Sequence, residues 1–401
     1  MAFLTKRNAQ PQSNRKAIMY EPAGRQFPNL AFLWPAFAAA SASDMAALIA
    51  KQFANLAVGP AAPPVQEPKW ATPHTIALEL KTVRLRDFST ENDGSPALVC
   101  APFALHSAAI ADLAPGHSLA AALRDAGLRR LFMADWRSAT ADMRFLGIDD
   151  YLAALNVLVD HIGIPVDLIG LSQGGWMALI YAARFPVKVR KLVLAGSSVD
   201  ITAAPSALSV LAIESPLVIF HELVRLGDGL VPGRKVLKFW GPESISSEDV
   251  RQLLQTEKPI GSVGFTRLEA RFRDWYAWTV DLPGTFFLET VEKLYKRNEL
   301  ATGSLIALGQ RIDLGTIRAP MFMLAASDDE LAAPQQVFAA EHLVGTAAHN
   351  LRKAIAPCRH VGLFMGKGTL EDVWPSIVRW IREPPITVTE RAEARMIERV
   401  H

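Results

Sequence analysis

From Thr82 to Phe88 apolar positions (Val83, Leu85, Phe88) are set against Arg84, Arg86 and Asp87, the period of a half-exposed strand. Ala97-Leu98-Val99-Cys100 is a short, wholly apolar run, as a strand buried on both faces should be. Residues 110–126 read as a helix and Leu131-Phe132-Met133-Ala134 as a strand. Ile148, Tyr151, Leu152, Leu155, Leu158, Val159 and Ile162 form one helix face. Val166–Ile169, the helix-forming stretch Gly175–Arg184 and the strand Lys191–Gly196 continue the alternation. Strand and helix in turn predict a mostly parallel, doubly wound α/β sheet with helices on both faces.

The alternation stops near Val199 and resumes at Pro320–Ala325. Residues 200–305 between them lack strand spacing and are rich in large aromatics: Trp240, Phe272, Trp275, Tyr276, Trp278, Phe286, Phe287 and Tyr295. This predicts a largely helical lid over the C-terminal edge of the sheet, its aromatics chiefly forming its own core. The α/β core is then 74–199 plus 306–401. Residues 1–73 form an N-terminal segment. In it, Met45, Leu48, Ile49, Phe53 and Leu56 mark one amphipathic helix after Ser43 that docks on the core, and a linker carries Pro60, Pro63, Pro64, Pro68 and Pro73.

Composition changes this picture little. Half of the 401 residues are apolar and a fifth charged, and the net charge of +2, without a Lys/Arg run, argues against nucleic acid. Two cysteines, Cys100 and Cys358, make neither a disulfide framework nor a zinc site, and no ligand cluster for a metal or cofactor stands out. The apolar run Leu30–Ala42 is interrupted by Pro35 and too short to span a membrane, so a cytoplasmic protein without a transmembrane segment is expected.

The chemistry concentrates at Gly170-Leu171-Ser172-Gln173-Gly174, a tight turn between a buried strand and a helix. That setting makes Ser172 a candidate nucleophile and the Gln173 N–H, at a helix start, a candidate oxyanion donor. Serine needs a base, and the base a carboxylate. In an α/β fold with a nucleophile turn of this kind the chain order is Ser, acid, His. Of the histidines downstream, His360 alone follows a strand-like run, Leu351–Ala356, in a short loop before a final helix at 370–382. The acid belongs in the exit loop Ser327-Asp328-Asp329-Glu330, with Asp329 the first choice and Asp328 the second. The second oxyanion donor follows Pro102, which has no N–H, and is Phe103 or Ala104. His106 beyond it reads as a polar loop residue or as part of the entrance.

Several stretches resemble the polyhydroxyalkanoate synthases and intracellular polyhydroxyalkanoate depolymerases, a branch of the α/β-hydrolases. They are Asp112–Leu119, Asp135-Trp136-Arg137, Asp149-Asp150-Tyr151, Asp281-Leu282-Pro283, Arg297–Leu300, Arg311–Ile317 and His360–Gly366. The resemblance covers about residues 75–385 and implies an α/β-hydrolase fold, a polyester substrate and an association with polymer granules. The family carries cysteine where this chain has Ser172, a departure that favours ester over thioester chemistry. The expected function is therefore a serine ester hydrolase acting on hydroxyalkanoate esters. A synthase-like acyltransferase, a small-ester esterase and a non-enzymatic granule-associated protein are the alternatives, and an oligomer is compatible with each.

Overall fold

The computed structural model describes residues 66–240 and 245–384. The expected helix at 43–58, the apolar run at 30–42, the first part of the linker and the Trp240 side chain lie outside the described residues.

Eight strands form one sheet: β1 (Thr75–Glu79), β2 (Val83–Asp87), β3 (Ala97–Cys100), β4 (Leu131–Trp136), β5 (Val166–Leu171), β6 (Val189–Ala195), β7 (Met321–Ala326) and β8 (Leu351–Ala356). Their spatial order is β1-β2-β4-β3-β5-β6-β7-β8. The β1–β2 and β2–β4 pairs are antiparallel, and all pairs from β4 to β8 are parallel. Strands β3, β4, β5 and β7 are buried along their whole length, because helices cover both faces.

Among the helices of the core, α1 (Leu119–Asp125), α2 (Ile148–Ile162) and α3 (Gln173–Arg184) follow β3, β4 and β5. The helix expected over 110–126 is confined to its second half. Asp112–Ala114 pairs with His117–Ser118 around Pro115-Gly116, and α1 starts only at Leu119, where the Ser118 hydroxyl accepts from the Ala121 N–H at 2.9 Å. The cause is Asp112. Its buried carboxylate accepts from the N–H groups of Ala71 and Thr72 and the Thr72 hydroxyl at 2.6–2.9 Å, which fastens the segment leading into β1. A helix there would leave that carboxylate buried and unpaired.

Between β6 and β7 the chain is mostly helical: α4 (Ala207–Glu214), α5 (Leu217–Leu226), α6 (Gly233–Trp240), α7 (Ser247–Leu253), α8 (Val263–Ala277) and α9 (Gly284–Glu289). It is not wholly so, since Leu230–Val231 pairs with Leu282–Pro283. Helices α4 and α5 meet at 91° and carry apolar residues outwards, including Val210, Ile213 and Val218. Among the described residues no single helix is long and apolar enough to cross a membrane. The expected last helix is two, Lys367–Asp372 and then α10 (Trp374–Arg382), whose first turn takes Pro375.

Candidate active site

Ser172 stands between β5 and α3 with φ 48° and ψ −122°, a conformation that side chains rarely adopt. Its N–H is held by the Ala195 carbonyl at 2.8 Å and its carbonyl accepts from the Gly175 N–H at 2.9 Å, so both neighbours of the turn fix it. The turn is possible because strand and helix nearly touch. A Cβ on Gly170 would lie 2.4 Å from the Cα of Gly175, where no side chain fits.

The structure brings Ser172, His360 and Asp329 together from the ends of β5, β8 and β7. The Ser172 hydroxyl donates to His360 Nε2 at 2.8 Å. His360 Nδ1–H donates to Asp329 Oδ2 at 2.8 Å, with Oδ1 at 3.0 Å. The imidazole is 3% exposed and the carboxylate fully buried. Asp329 Oδ1 also accepts from the N–H groups of Leu331 and Ala332 at 2.9 and 2.8 Å, which pins the carboxylate. Asp328 does not reach the histidine: it is exposed, and one of its oxygens accepts from the Ser327 hydroxyl.

Burial alone would lower the pKa of His360, but the charge and hydrogen bond of Asp329, helped by Glu330, overcome it and the net shift is upward. Glu330 is itself paired with Arg359 at 3.3 Å. The two cysteines are buried and in no disulfide, and burial pushes their thiols up, Cys100 to about 12 and Cys358 to about 11. Neither offers a thiolate near neutrality.

Gln173 lines the same cavity as Ser172, and among the described residues no protein oxygen accepts from its N–H. Phe103 is divided. Its ring turns into the core, 4.6 Å from Tyr151 and 5.2 Å from Phe286 between ring centroids, while its N–H meets no protein acceptor among the described residues. Its neighbours Pro102 and Ala104 line the cavity.

The cavity holds about 290 Å³ and is walled by apolar side chains from the helices between β6 and β7, among them Leu208, Leu211 and Phe220. The aromatics of that region do more than fill its core. Phe272 is buried as expected, but Trp275, Tyr276, Phe286, Phe287 and Tyr295 line the cavity. His106 lines it too. Sequence periodicity could not reveal this, because it depends on how α8 and α9 fold back over the sheet. Among the described residues, no cluster of His, Cys, Asp and Glu could hold a metal ion.

A family model described as the alpha/beta hydrolase fold matches residues 114–224, and one described as the PHB de-polymerase C-terminus matches residues 261–384. The chain has the α/β-hydrolase fold. Among curated relatives it is similar to the poly(3-hydroxyalkanoate) polymerase subunit PhaC of Haloferax mediterranei, 22% identical over 80% of this chain and 65% of the relative's length. The subunit of the same name from Synechocystis sp. is 27% identical over 68% of this chain and 74% of the relative. Among solved structures, the monoacylglycerol lipase of Paleococcus ferrophilus superposes with a TM-score of 0.50 at 14% identity, covering 75% of this chain and 98% of the lipase.

Proposed function

We propose that this protein cleaves hydroxyalkanoate esters through an acyl-enzyme on Ser172. The observation that carries the reading is the unbroken relay from the Ser172 hydroxyl through His360 to the buried Asp329. With Nδ1–H donating to the carboxylate, His360 Nε2 keeps a lone pair aimed at the hydroxyl proton. As Ser172 Oγ attacks the ester carbonyl, His360 takes that proton, and Asp329 stabilises the imidazolium. The N–H groups of Gln173 and Phe103 hold the oxyanion, and collapse of the intermediate expels the alcohol, protonated by His360. Water, deprotonated by His360, then attacks the acyl-serine and releases the hydroxy acid.

The substrate class rests on the relatives' names together with the apolar cavity. A granule surface is the corresponding partner, for which the outward apolar residues of α4 and α5 are suited. A second reading has the acyl group pass to the hydroxyl end of another chain instead of to water. The polymerase names of the relatives favour this transfer, whereas the oxygen nucleophile favours hydrolysis, because an acyl-serine ester is close in energy to the ester from which it formed.

Incubating the purified protein and its Ser172→Ala variant with amorphous polyhydroxybutyrate granules, p-nitrophenyl esters and 3-hydroxybutyryl-CoA separates the readings. Acid release without CoA release supports hydrolysis, and CoA release with polymer formation supports transfer. Activity undiminished in Ser172→Ala refutes both.

A further inference from the structure

His106 is a cavity residue that the relay does not use. It stands three residues beyond Phe103, and its backbone bridges Thr279 beyond the end of α8. Its ring packs against Trp275 and Tyr276, with centroids 4.6 and 5.0 Å apart. Nδ1 lies 3.5 Å from the Trp278 carbonyl oxygen, a long contact. A carbonyl only accepts, so this contact places the ring proton on Nδ1. Nε2 then carries a lone pair, and among the described residues no protein group donates to it.

Burial lowers the pKa of this imidazole to about 4, against a smaller upward effect of the Trp278 carbonyl. The ring is therefore uncharged at neutral pH, an acceptor set in a largely apolar wall. Ester carbonyl and ether oxygens cannot satisfy it, since they have no proton to give. An all-carbon chain filling the cavity would strip its water and return nothing. A hydroxyl group is the neutral donor that fits.

We propose that His106 Nε2 accepts a hydrogen bond from a hydroxyl of the substrate and so makes the cavity selective for hydroxylated esters over their deoxy counterparts. The proposal rests on the reading of Ser172 as an ester-cleaving nucleophile. The hydroxyl belongs either to the acyl or to the alcohol half, and two substrate pairs tell these apart. One pair is p-nitrophenyl 3-hydroxybutyrate and p-nitrophenyl butyrate, and the other is 2-hydroxyethyl butyrate and propyl butyrate. In one pair the native protein should favour the hydroxylated member by about tenfold in kcat/KM, the worth of one neutral hydrogen bond. His106→Phe, which keeps a ring against Trp275 and Tyr276, should bring that ratio close to one, and His106→Gln, which restores a neutral acceptor, should recover part of it. No preference in either pair for the native protein overturns the proposal, and this comparison needs no variant. An equal preference in folded His106→Phe overturns it as well. If no ester is cleaved, the ester reading is what has failed. Calorimetric binding of ethyl 3-hydroxybutyrate and ethyl butyrate to Ser172→Ala protein then decides on His106, equal affinities overturning its role.

Discussion

A Cβ on Gly174 would stand 2.1 Å from the carbonyl oxygen of Cys100. The first turn of α3 is thus pressed against the last residue of β3, the strand that leads into the Phe103 loop. This contact sets the spacing between the two proposed oxyanion donors, Gln173 and Phe103. Neither backbone can yield without moving one donor, and small displacements in such sites can cost about 100-fold in rate. Gly174→Ala should lower kcat by roughly that factor and lower the melting temperature too. Steady-state kinetics and thermal unfolding check this, and native kcat in a folded variant contradicts it.

Ser172→Ala and His360→Ala should each lower kcat by about 10⁴-fold or more while the double variant is hardly worse than either, since the groups act as a unit. Additive losses across the four proteins would show that the two residues act separately.

Asp329→Asn should slow turnover by about 10⁴-fold, because an amide no longer holds the His360 tautomer. Asp328→Asn should change it less than about twofold, as expected of a surface substitution away from the relay. A reversed ranking in kcat would move the orienting role to Asp328.

The pKa of His360 is raised above its ordinary 6.5. The base must be neutral to accept the serine proton, so kcat/KM should fall as pH drops through a midpoint above 6.5. Glu330→Gln should move that midpoint down by removing one of the charges that raise it. The sign for stability is opposite. The folded state favours the protonated ring, so this contribution is present below the unfolded pKa and lost as pH rises through the folded one. A pH–rate profile with its acid limb below 6.5 contradicts the assignment.

Ser172→Cys would place a thiol within reach of His360 as its base. The variant should acquire an acyl group from 3-hydroxybutyryl-CoA, with CoA release, while ester hydrolysis falls because the larger sulfur sits imperfectly. Mass spectrometry of the intact variant reads the adduct, and its absence in folded protein means that the cavity does not accept the thioester donor.

Strands β3 and β7 were legible because burial on both faces leaves uninterrupted apolar runs, Ala97–Cys100 and Met321–Ala326. Strand β1 was not, since Thr75–Glu79 is a largely exposed edge without clean alternation. The helix expected over 110–126 fails for a non-local reason: the partners of Asp112 include Ala71 and Thr72, about 40 positions away. At the site, chain order marks the loops after β5, β7 and β8, but two adjacent aspartates share one of them. Only the turn that binds Asp329 to Leu331 and Ala332 separates them. Local sequence left His106 as a loop residue or part of the entrance, because its ring contacts are with Trp275 and Tyr276, from a helix some 170 residues on.

That same turn joins two tasks that a designer would prefer to keep apart. Leu331 and Ala332, whose amides clasp the Asp329 carboxylate, are themselves part of the cavity wall. Reshaping the wall there for a bulkier substrate would tilt the carboxylate and, through it, the imidazole. Leu208, Leu211 and Phe220 line the cavity from α4 and α5 and have no bond to the relay. Evolvability is therefore unevenly distributed around one cavity. New substrate preferences can arise by substitution in α4 and α5 while the β7 exit loop stays nearly immutable, and a mutational library confined to those two helices should keep far more active members than one of equal size at positions 330–332.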